Sequence, residues 1–143
     1  MTIGITNDHY AVLKKQELIK YLEKKGHRVI DYGYNGSEKD KVDYPTYAFN
    51  LVKNMDKLDI GILICTSGIG MSMAANRIKG VRCARVVNSE EAIITRKHNH
   101  ANCIALSGKY SLRKIKKILD AFINQDFDNT ERYERRAKML DEC

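Results

Sequence analysis

Cys65 is a residue whose type and position in this sequence suggest chemistry. It follows the apolar run from Ile60 to Ile64 and precedes a short turn with the sequence Thr-Ser-Gly-Ile-Gly at 66–70. Glycines let such a turn bend tightly and bring backbone N–H groups close to a ligand. A helix that begins after the turn would point its positive end at the same place and stabilise a thiolate. We therefore take Cys65 as a candidate reactive centre at the carboxyl end of a buried strand.

The same residues also fit a plain strand–turn–helix connection with a buried structural cysteine. Two other polar clusters favour a functional site, because each also follows a predicted strand. Asn7-Asp8-His9 follows the first strand and Lys109 follows the last. Ligands of parallel sheets bind outside the carboxyl ends of the strands. The three clusters therefore predict one site built from distant segments, although capping of a helix at Tyr10 is an alternative role for Asp8 and His9.

Hydrophobic spacing predicts five strands that alternate with helices. The clearest helix covers 111–124, where buried residues recur at i, i+3, i+4 and i+7. We predict strands at 2–6, 28–32, 60–64, 81–87 and 103–106. We predict helices at 10–25, 43–57, 71–77, 111–124 and 131–140. A further helix is predicted between the fourth and fifth strands, beginning at 88 or 89 and ending at 98–100. This order predicts a single domain over residues 1–143, an α/β, Rossmann-like three-layer sandwich with a five-stranded parallel sheet.

Composition narrows the possible partners. The formal charge of +7 permits nucleic-acid binding, but no basic stretch carries interleaved aromatic residues, so we expect no nucleic-acid partner. No apolar run reaches the roughly 20 residues that cross a bilayer, so we expect no membrane partner. The N-terminus lacks the pattern of a signal peptide, which predicts a cytoplasmic protein.

The four cysteines show none of the close pairs that typify a zinc site, so we expect free thiols in a reducing cytosol. Cys83 and Cys103 lie in apolar stretches and are expected to be inert core residues. Cys143 is expected to be exposed.

Several motifs, in order along the whole chain, match one known pattern. The most specific is the segment Gly-Ile-Leu-Ile-Cys-Thr-Ser-Gly-Ile-Gly-Met-Ser-Met-Ala-Ala-Asn at 61–76. The others are Asp8-His9, Gly-His-Arg-Val-Ile-Asp at 26–31, Asp43-Tyr44-Pro45, His98-Asn99-His-Ala-Asn102 and Arg132-x-x-x-Arg136. Together they resemble the ribose-5-phosphate isomerase B family, within the wider group that includes galactose-6-phosphate isomerase subunits.

The resemblance implies an aldose–ketose isomerase that interconverts ribose 5-phosphate and ribulose 5-phosphate through an enediolate, without a metal or an organic cofactor. Cys65 would be the base, and backbone N–H groups of residues 66–70 would stabilise the enediolate oxygen. Ser67, in place of the family's usual threonine, could carry a proton between O1 and O2. His98 would open the furanose ring. A cation at the end of a helix is the alternative role for His98.

The resemblance also implies which residues bind the sugar phosphate. Asp8 would contact a sugar hydroxyl, and His9 would contact the phosphate. Arg132 and Arg136, one helical turn apart, could hold the phosphate together, although a basic surface is the alternative for this pair. Further substrate contacts are expected from Tyr44, Thr66, Gly68, Ile69, Gly70, Asn99 and Lys109. The family site lies between two subunits and Asn99 would come from the neighbour, which implies a homodimer, or a tetramer of two dimers, with the C-terminal helix extending to the partner.

Four departures from the family pattern surround this site. Thr66 and Ser67 stand in a turn that is usually Cys-Gly-Thr-Gly, and Tyr10 follows Asp8-His9 where alanine is common. Lys109 replaces an arginine, which keeps the charge but loses bidentate geometry. The family's Gly-Gly-Arg-His-x-x-Arg becomes Asn-Thr-Glu-Arg-Tyr-Glu-Arg-Arg at 129–136. Another branch of the family has a glutamate base at the position of Met71, so this chain resembles the cysteine type.

These departures leave the substrate and the class of function open. Because peripheral contacts select sugar length, a six-carbon sugar such as allose or galactose 6-phosphate is an alternative substrate. A non-catalytic sugar-phosphate- or nucleotide-binding module would retain the arginines and the glycine turn, but it would not need Cys65 or His98. A thiol redox protein would use Cys65, but no second cysteine lies nearby in the sequence.

Overall fold

A parallel sheet of five strands forms the centre of the protein, with helices on both faces, in a computed structural model that describes all residues, 1–143. The strands are β1 (Thr2–Asn7), β2 (Arg28–Asp31), β3 (Ile60–Cys65), β4 (Cys83–Arg85) and β5 (Cys103–Ser107). The α-helices are α1 (Val12–Lys24), α2 (Tyr44–Val52), α3 (Ile69–Ala75), α4 (Ser89–Asn99), α5 (Leu112–Asn124) and α6 (Glu131–Glu142). The predicted fold class is confirmed.

The strand order β2-β1-β3-β5-β4 places β3 at the centre of the sheet. The chain adds β2 on one side of β1 and then places β3 on the other side, so the direction of growth reverses between β1 and β3. In open parallel sheets, such a reversal leaves a crevice at the carboxyl ends of the two strands. This crevice lies where Cys65 ends β3.

Alternate residues of β3 face two separate layers of the core. Ile60, Ile62 and Ile64 pack in a cluster with residues of α1 and α5. Leu63 and Cys65 pack on the opposite face, with residues of α2 and α3. Because both faces are covered, every position of the strand is buried, which explains the unbroken apolar run in the sequence.

The second helix and the fourth strand are shorter than predicted, and local hydrogen bonds explain where the helix ends and where the strand begins. The second helix ends at Val52 rather than at residue 57, because the side-chain amide of Asn54 donates to the Asn50 carbonyl at 3.0 Å and a short 3₁₀ turn follows at Met55–Lys57. β4 covers only Cys83–Arg85 rather than 81–87, since the Val81 N–H donates to the Ile78 carbonyl and belongs to the preceding turn.

The C-terminal helix packs on its own chain. Ala137 of α6 is buried, and Asp141 pairs with Arg82 at 2.6 Å beside the start of β4. The extension of this helix to a partner subunit therefore stays a prediction. None of the helices combines the length and the apolar character needed to span a bilayer.

The predicted roles of three cysteines are confirmed. Cys83 and Cys103 are buried, and Cys143 is exposed. Burial raises the pKa of the Cys103 thiol to about 12 and that of Cys83 well above its ordinary value, so both remain protonated thiols at neutral pH.

Candidate active site

The carboxyl ends of β1, β3 and β5 bring together the three polar clusters that follow them. Cys65 pairs with Ser107 in the ladder between β3 and β5, and Ile64 pairs with Asn7 in the ladder between β3 and β1. Asp8, the turn after Cys65 and Lys109 consequently lie at the same edge of the sheet. A substrate in the crevice would meet side chains from all three segments.

Cys65 is almost fully buried, with 5% of its surface exposed, and its sulfur receives a hydrogen bond. The backbone N–H of Gly68 donates to Cys65 Sγ at 3.2 Å. Gly68 adopts a left-handed conformation with φ of 76°, and a Cβ atom there would lie 2.9 Å from the backbone carbon of Leu106. Only glycine therefore fits the position from which the N–H reaches the sulfur.

The backbone of the turn offers fewer free donors than the sequence predicted. Besides the N–H of Gly68, that of Ile69 is also engaged, since it donates to Ser67 Oγ at 3.2 Å. The N–H groups of Thr66, Ser67 and Gly70 have no acceptor within the chain. The turn is held in place by Ser107, whose hydroxyl donates to the Thr66 carbonyl at 2.7 Å. Three unpaired backbone donors therefore remain in the turn for an oxyanion.

Two tyrosine rings pack against glycines of the loops at this edge. The ring of Tyr44 lies against Gly70, where a Cβ atom would come within 2.7 Å of it. The ring of Tyr10 lies against Gly108, where a Cβ atom would come within 2.8 Å of it. The Lys14 ammonium group donates to the Gly108 carbonyl at 2.7 Å and so helps to hold Gly108 against Tyr10. Tyr10, which departs from the family pattern, is thus accommodated by a glycine.

Asp8 and His9 are both held by backbone N–H groups. Asp8 Oδ1 accepts a hydrogen bond from the Tyr10 N–H at 2.9 Å, so the helix-capping alternative describes this oxygen correctly. His9 Nδ1 accepts from the Val42 N–H at 3.2 Å, which leaves Nε2 to carry the proton of a neutral ring. Lys109 is exposed beside them. His9 and Lys109 are therefore available to contact the phosphate of a substrate.

A buried lysine that sequence reasoning missed supports this end of the site. Lys15 is fully buried, and its ammonium group contacts Asp31 at 2.9 Å, Asn35 Oδ1 at 2.8 Å and the Tyr34 carbonyl at 3.0 Å. Burial lowers its pKa, and Asp31 opposes that shift. Its spacing from the buried residues of the same helix was a signal, since Lys15 lies three positions before Leu18.

His98 and Asn99 lie at the opposite end of the sheet from Cys65. Asn102, just after them, donates its N–H to the Arg82 carbonyl before β4, and its own carbonyl accepts from Gly61 at the start of β3. At about 3.3 Å per residue, the four steps of β3 from Gly61 to Cys65 separate that end from Cys65 by about 13 Å. One chain therefore does not bring the predicted ring-opening histidine to the predicted base.

The remaining predicted residues lie on α6, beside His98. The ring of His98 stacks on that of Tyr133, with centroids 4.6 Å apart and an angle of 16° between the planes. Arg132 donates to the Tyr133 hydroxyl at 3.0 Å, and Arg136 is exposed one turn further along the helix. His98, Arg132 and Arg136 thus form a second cluster, separate from the Cys65 cluster within the chain.

Comparison with known proteins assigns these features to a family. Residues 3–140 match the family described as Ribose/Galactose Isomerase. The chain belongs to this family. Ribose-5-phosphate isomerase B from Mycolicibacterium paratuberculosis is 34% identical over 147 residues, which cover 99% of this chain and 91% of the relative. A probable ribose-5-phosphate isomerase B from Mycoplasma pneumoniae is 38% identical over 142 residues, which cover 96% and 92%.

Solved structures of this isomerase family have the same fold. A ribose 5-phosphate isomerase from Thermotoga maritima superimposes with a TM-score of 0.93 at 39% identity, covering 99% of this chain and 98% of that one. Ribose-5-phosphate isomerase B from Mycoplasma genitalium, solved with bound ribulose-5-phosphate, gives a TM-score of 0.92 at 34% identity, covering 99% and 94%. The family resemblance predicted from the sequence motifs is confirmed.

Proposed function

We propose that this member of the ribose/galactose isomerase family interconverts ribose 5-phosphate and ribulose 5-phosphate, with Cys65 as the base. The observation that carries the proposal is the hydrogen bond from the Gly68 N–H to Cys65 Sγ, 3.2 Å long, in the crevice of the sheet. This hydrogen bond holds the sulfur at the carboxyl end of β3, where a substrate in the crevice would meet it. The name and the bound ribulose-5-phosphate of the Mycoplasma genitalium relative support the choice of a pentose.

The chemistry follows from the groups around the turn. The Cys65 thiolate takes the proton from C2 of the open-chain aldose, and the electrons of the C2–H bond form the C1–C2 double bond of an enediolate. The free N–H groups of Thr66, Ser67 and Gly70 stabilise the negative charge on O1. The thiol then returns the proton to C1, while the Ser67 hydroxyl moves a proton from O2 to O1. No step requires a metal or an organic cofactor.

The complete site is shared by two chains in this proposal. His98 would have to open the furanose ring, but it lies at the opposite end of its own sheet from Cys65, so the histidine at each site comes from a partner. β4 is an edge strand of the sheet, and exposed apolar side chains near it support a homodimer. Leu140 lines a cavity of about 460 Å³ together with Val81 and Cys83. Ile94 lies nearby, beside Ala84. A tetramer would pair two such dimers.

A reducing, cytoplasmic location is part of the same proposal. The base must remain a thiol, and the cytosol keeps cysteines reduced. All four cysteines of the chain are unpaired in the structure, which is consistent with such a compartment.

The test is turnover of ribose 5-phosphate by the purified protein, with and without a chelator, compared with turnover of allose 6-phosphate and galactose 6-phosphate. We expect chelator-resistant turnover of the pentose. Cys65→Ala should reduce kcat by roughly 10²- to 10⁴-fold, the usual contribution of a positioned base, while the sugar phosphate still binds. Cys103→Ala is the matched control, because it removes a buried thiol at the start of β5, at the opposite end of the sheet from Cys65, and should leave kcat of the folded protein unchanged.

Other outcomes would revise the proposal in defined ways. Turnover of a hexose phosphate without turnover of the pentose would retain the mechanism and change the substrate. Binding of sugar phosphates without any turnover would identify a binding module. Full activity in Cys65→Ala would exclude Cys65 as the base.

A further inference from the structure

We propose that Tyr133 is a positioning residue that holds His98 in the orientation needed for ring opening. This inference rests on the proposed function and adds a residue that the motif comparison did not assign a role. The rings of Tyr133 and His98 stack with centroids 4.6 Å apart and an angle of 16° between the planes. The contact joins α6 to α4 within one chain.

The stack is the contact that fixes the imidazole ring. Neither ring nitrogen of His98 has a hydrogen-bond partner within the chain, so the orientation of the ring is not set by a polar contact. Hydrogen bonds of an imidazole form in the plane of the ring. A contact on the face therefore orients the ring and leaves both nitrogens available. A histidine that must give and accept protons needs this arrangement.

Three features hold α6, which carries Tyr133, against its own chain. The Asp128 N–H donates to the Lys97 carbonyl at 2.9 Å just before α6 begins. Arg82 pairs with Asp141 at 2.6 Å near the other end of the helix, and Ala137 is buried between these points. Because α6 is anchored at both ends, the Tyr133 ring is presented to His98 by a rigid element.

The hydroxyl of Tyr133 has a second partner. Arg132 donates to it at 3.0 Å, and the guanidinium group lies 4.9 Å from the centre of the ring. The family resemblance implies that Arg132 binds the phosphate. The ring of Tyr133 therefore orients the group that opens the furanose, and its hydroxyl orients a group that holds the phosphate. Substitution can separate the two effects.

Tyr133→Leu removes the ring and is the test of the stack. We expect kcat for ribose 5-phosphate to fall roughly 10- to 100-fold, the range over which a misplaced catalytic group loses rate. Exchange of the C1 hydrogen of ribulose 5-phosphate in D₂O, followed by proton NMR at a saturating concentration of the sugar, should change by less than about twofold. This sugar carries its phosphate on the C5 oxygen, so it cannot form a furanose and needs no ring opener. Tyr21→Leu is the control, since Tyr21 is a half-buried tyrosine that bonds Asp120 between α1 and α5, remote from this cluster.

Tyr133→Phe retains the ring and removes only the hydroxyl. It should keep kcat and raise KM several-fold, because the phosphate ligand loses its orienting bond. Tyr133→Phe also tests the inference if Tyr133→Leu does not fold. A large loss of kcat in Tyr133→Phe, which keeps the ring, would contradict the role assigned to the ring.

The failure of this inference can be distinguished from failure of the proposed function. If the unaltered protein turns over neither sugar, the proposed function is wrong. If the unaltered protein is active and Tyr133→Leu loses turnover and C1 exchange equally, or loses neither, Tyr133 does not position His98 and the inference alone is overturned.

Discussion

Gly68 determines where the N–H that reaches Cys65 Sγ is placed. Its φ of 76° is costly for any residue with a Cβ atom, by about 1–2 kcal/mol, and a Cβ atom would also lie 2.9 Å from the backbone of β5 at Leu106. Gly80 offers a matched comparison, since its φ of 80° is similar but a Cβ atom there would meet nothing within 4 Å. The two glycines separate the cost of conformation from the cost of contact.

We predict that Gly68→Ala lowers the free energy of unfolding by about 2–4 kcal/mol, because the strain of the left-handed backbone and the clash with Leu106 add. Gly80→Ala should cost only about 1–2 kcal/mol, from the backbone strain. Urea unfolding followed by circular dichroism measures both, and turnover of ribose 5-phosphate should be lost only in the first variant. Equal losses of stability would show that the contact with Leu106 is relieved at no cost.

At the scale of elements, Lys15 connects helix α1 to the segment between β2 and α2. Its ammonium group holds Tyr34 and Asn35, and the same segment later donates from Val42 to His9. The orientation of His9 therefore depends on a segment that a buried cation keeps in place. Removal of the cation would leave Asp31, whose side chain is 27% exposed, to be hydrated in part by solvent.

We predict that Lys15→Met destabilises the protein by about 2–3 kcal/mol, below the 3–5 kcal/mol of a fully buried pair, because Asp31 reaches water. Amide hydrogen exchange at residues 33–42 should accelerate, and KM for the sugar phosphate should rise as His9 loses its partner. Lys20→Met on the same helix is the control; its exposed pair with Glu17 should contribute less than about 0.5 kcal/mol. Unchanged amide exchange at residues 33–42 in Lys15→Met would show that Lys15 does not hold this segment in place.

The elements themselves were predictable because their residues repeat with the period of the structure. The unbroken apolar run of β3 and the buried stripe of α5 are local patterns, and both elements were predicted from them. The burial of Lys15 was not predicted, because a lysine is rarely buried unless it is paired. Its partner Asn35 lies in an irregular segment whose conformation depends on tertiary contacts, so the pairing could not be deduced from spacing.

At the scale of the whole molecule, the direction of the chain decides how the site is completed. A helix that follows a parallel strand runs back toward the amino end of the sheet, so residues at its C-terminus, such as His98, lie far from the strand end that carries Cys65. The sequence motifs identified both residues, and the family resemblance implied that Asn99, next to His98, comes from a neighbouring subunit. One site that uses both must therefore draw them from two chains.

We predict that two inactive variants regain activity when mixed. Cys65→Ala and His98→Ala should each be nearly inactive alone. In a mixed dimer, one site combines the intact Cys65 of one chain with the intact His98 of the other, while the second site carries both substitutions. Random exchange after partial unfolding and refolding should therefore restore about a quarter of the unaltered activity, since half of the dimers are mixed and each contains one intact site.

The mixing experiment separates a shared site from a site within one chain. If each chain completed its own site, every site in the mixture would carry one substitution and activity would stay at the level of the separate variants. Cys65→Ala mixed with the double variant Cys65→Ala/His98→Ala is the control, because no pairing of these chains restores an intact cysteine. Light scattering on the same samples measures whether the active species has the mass of two chains or of four.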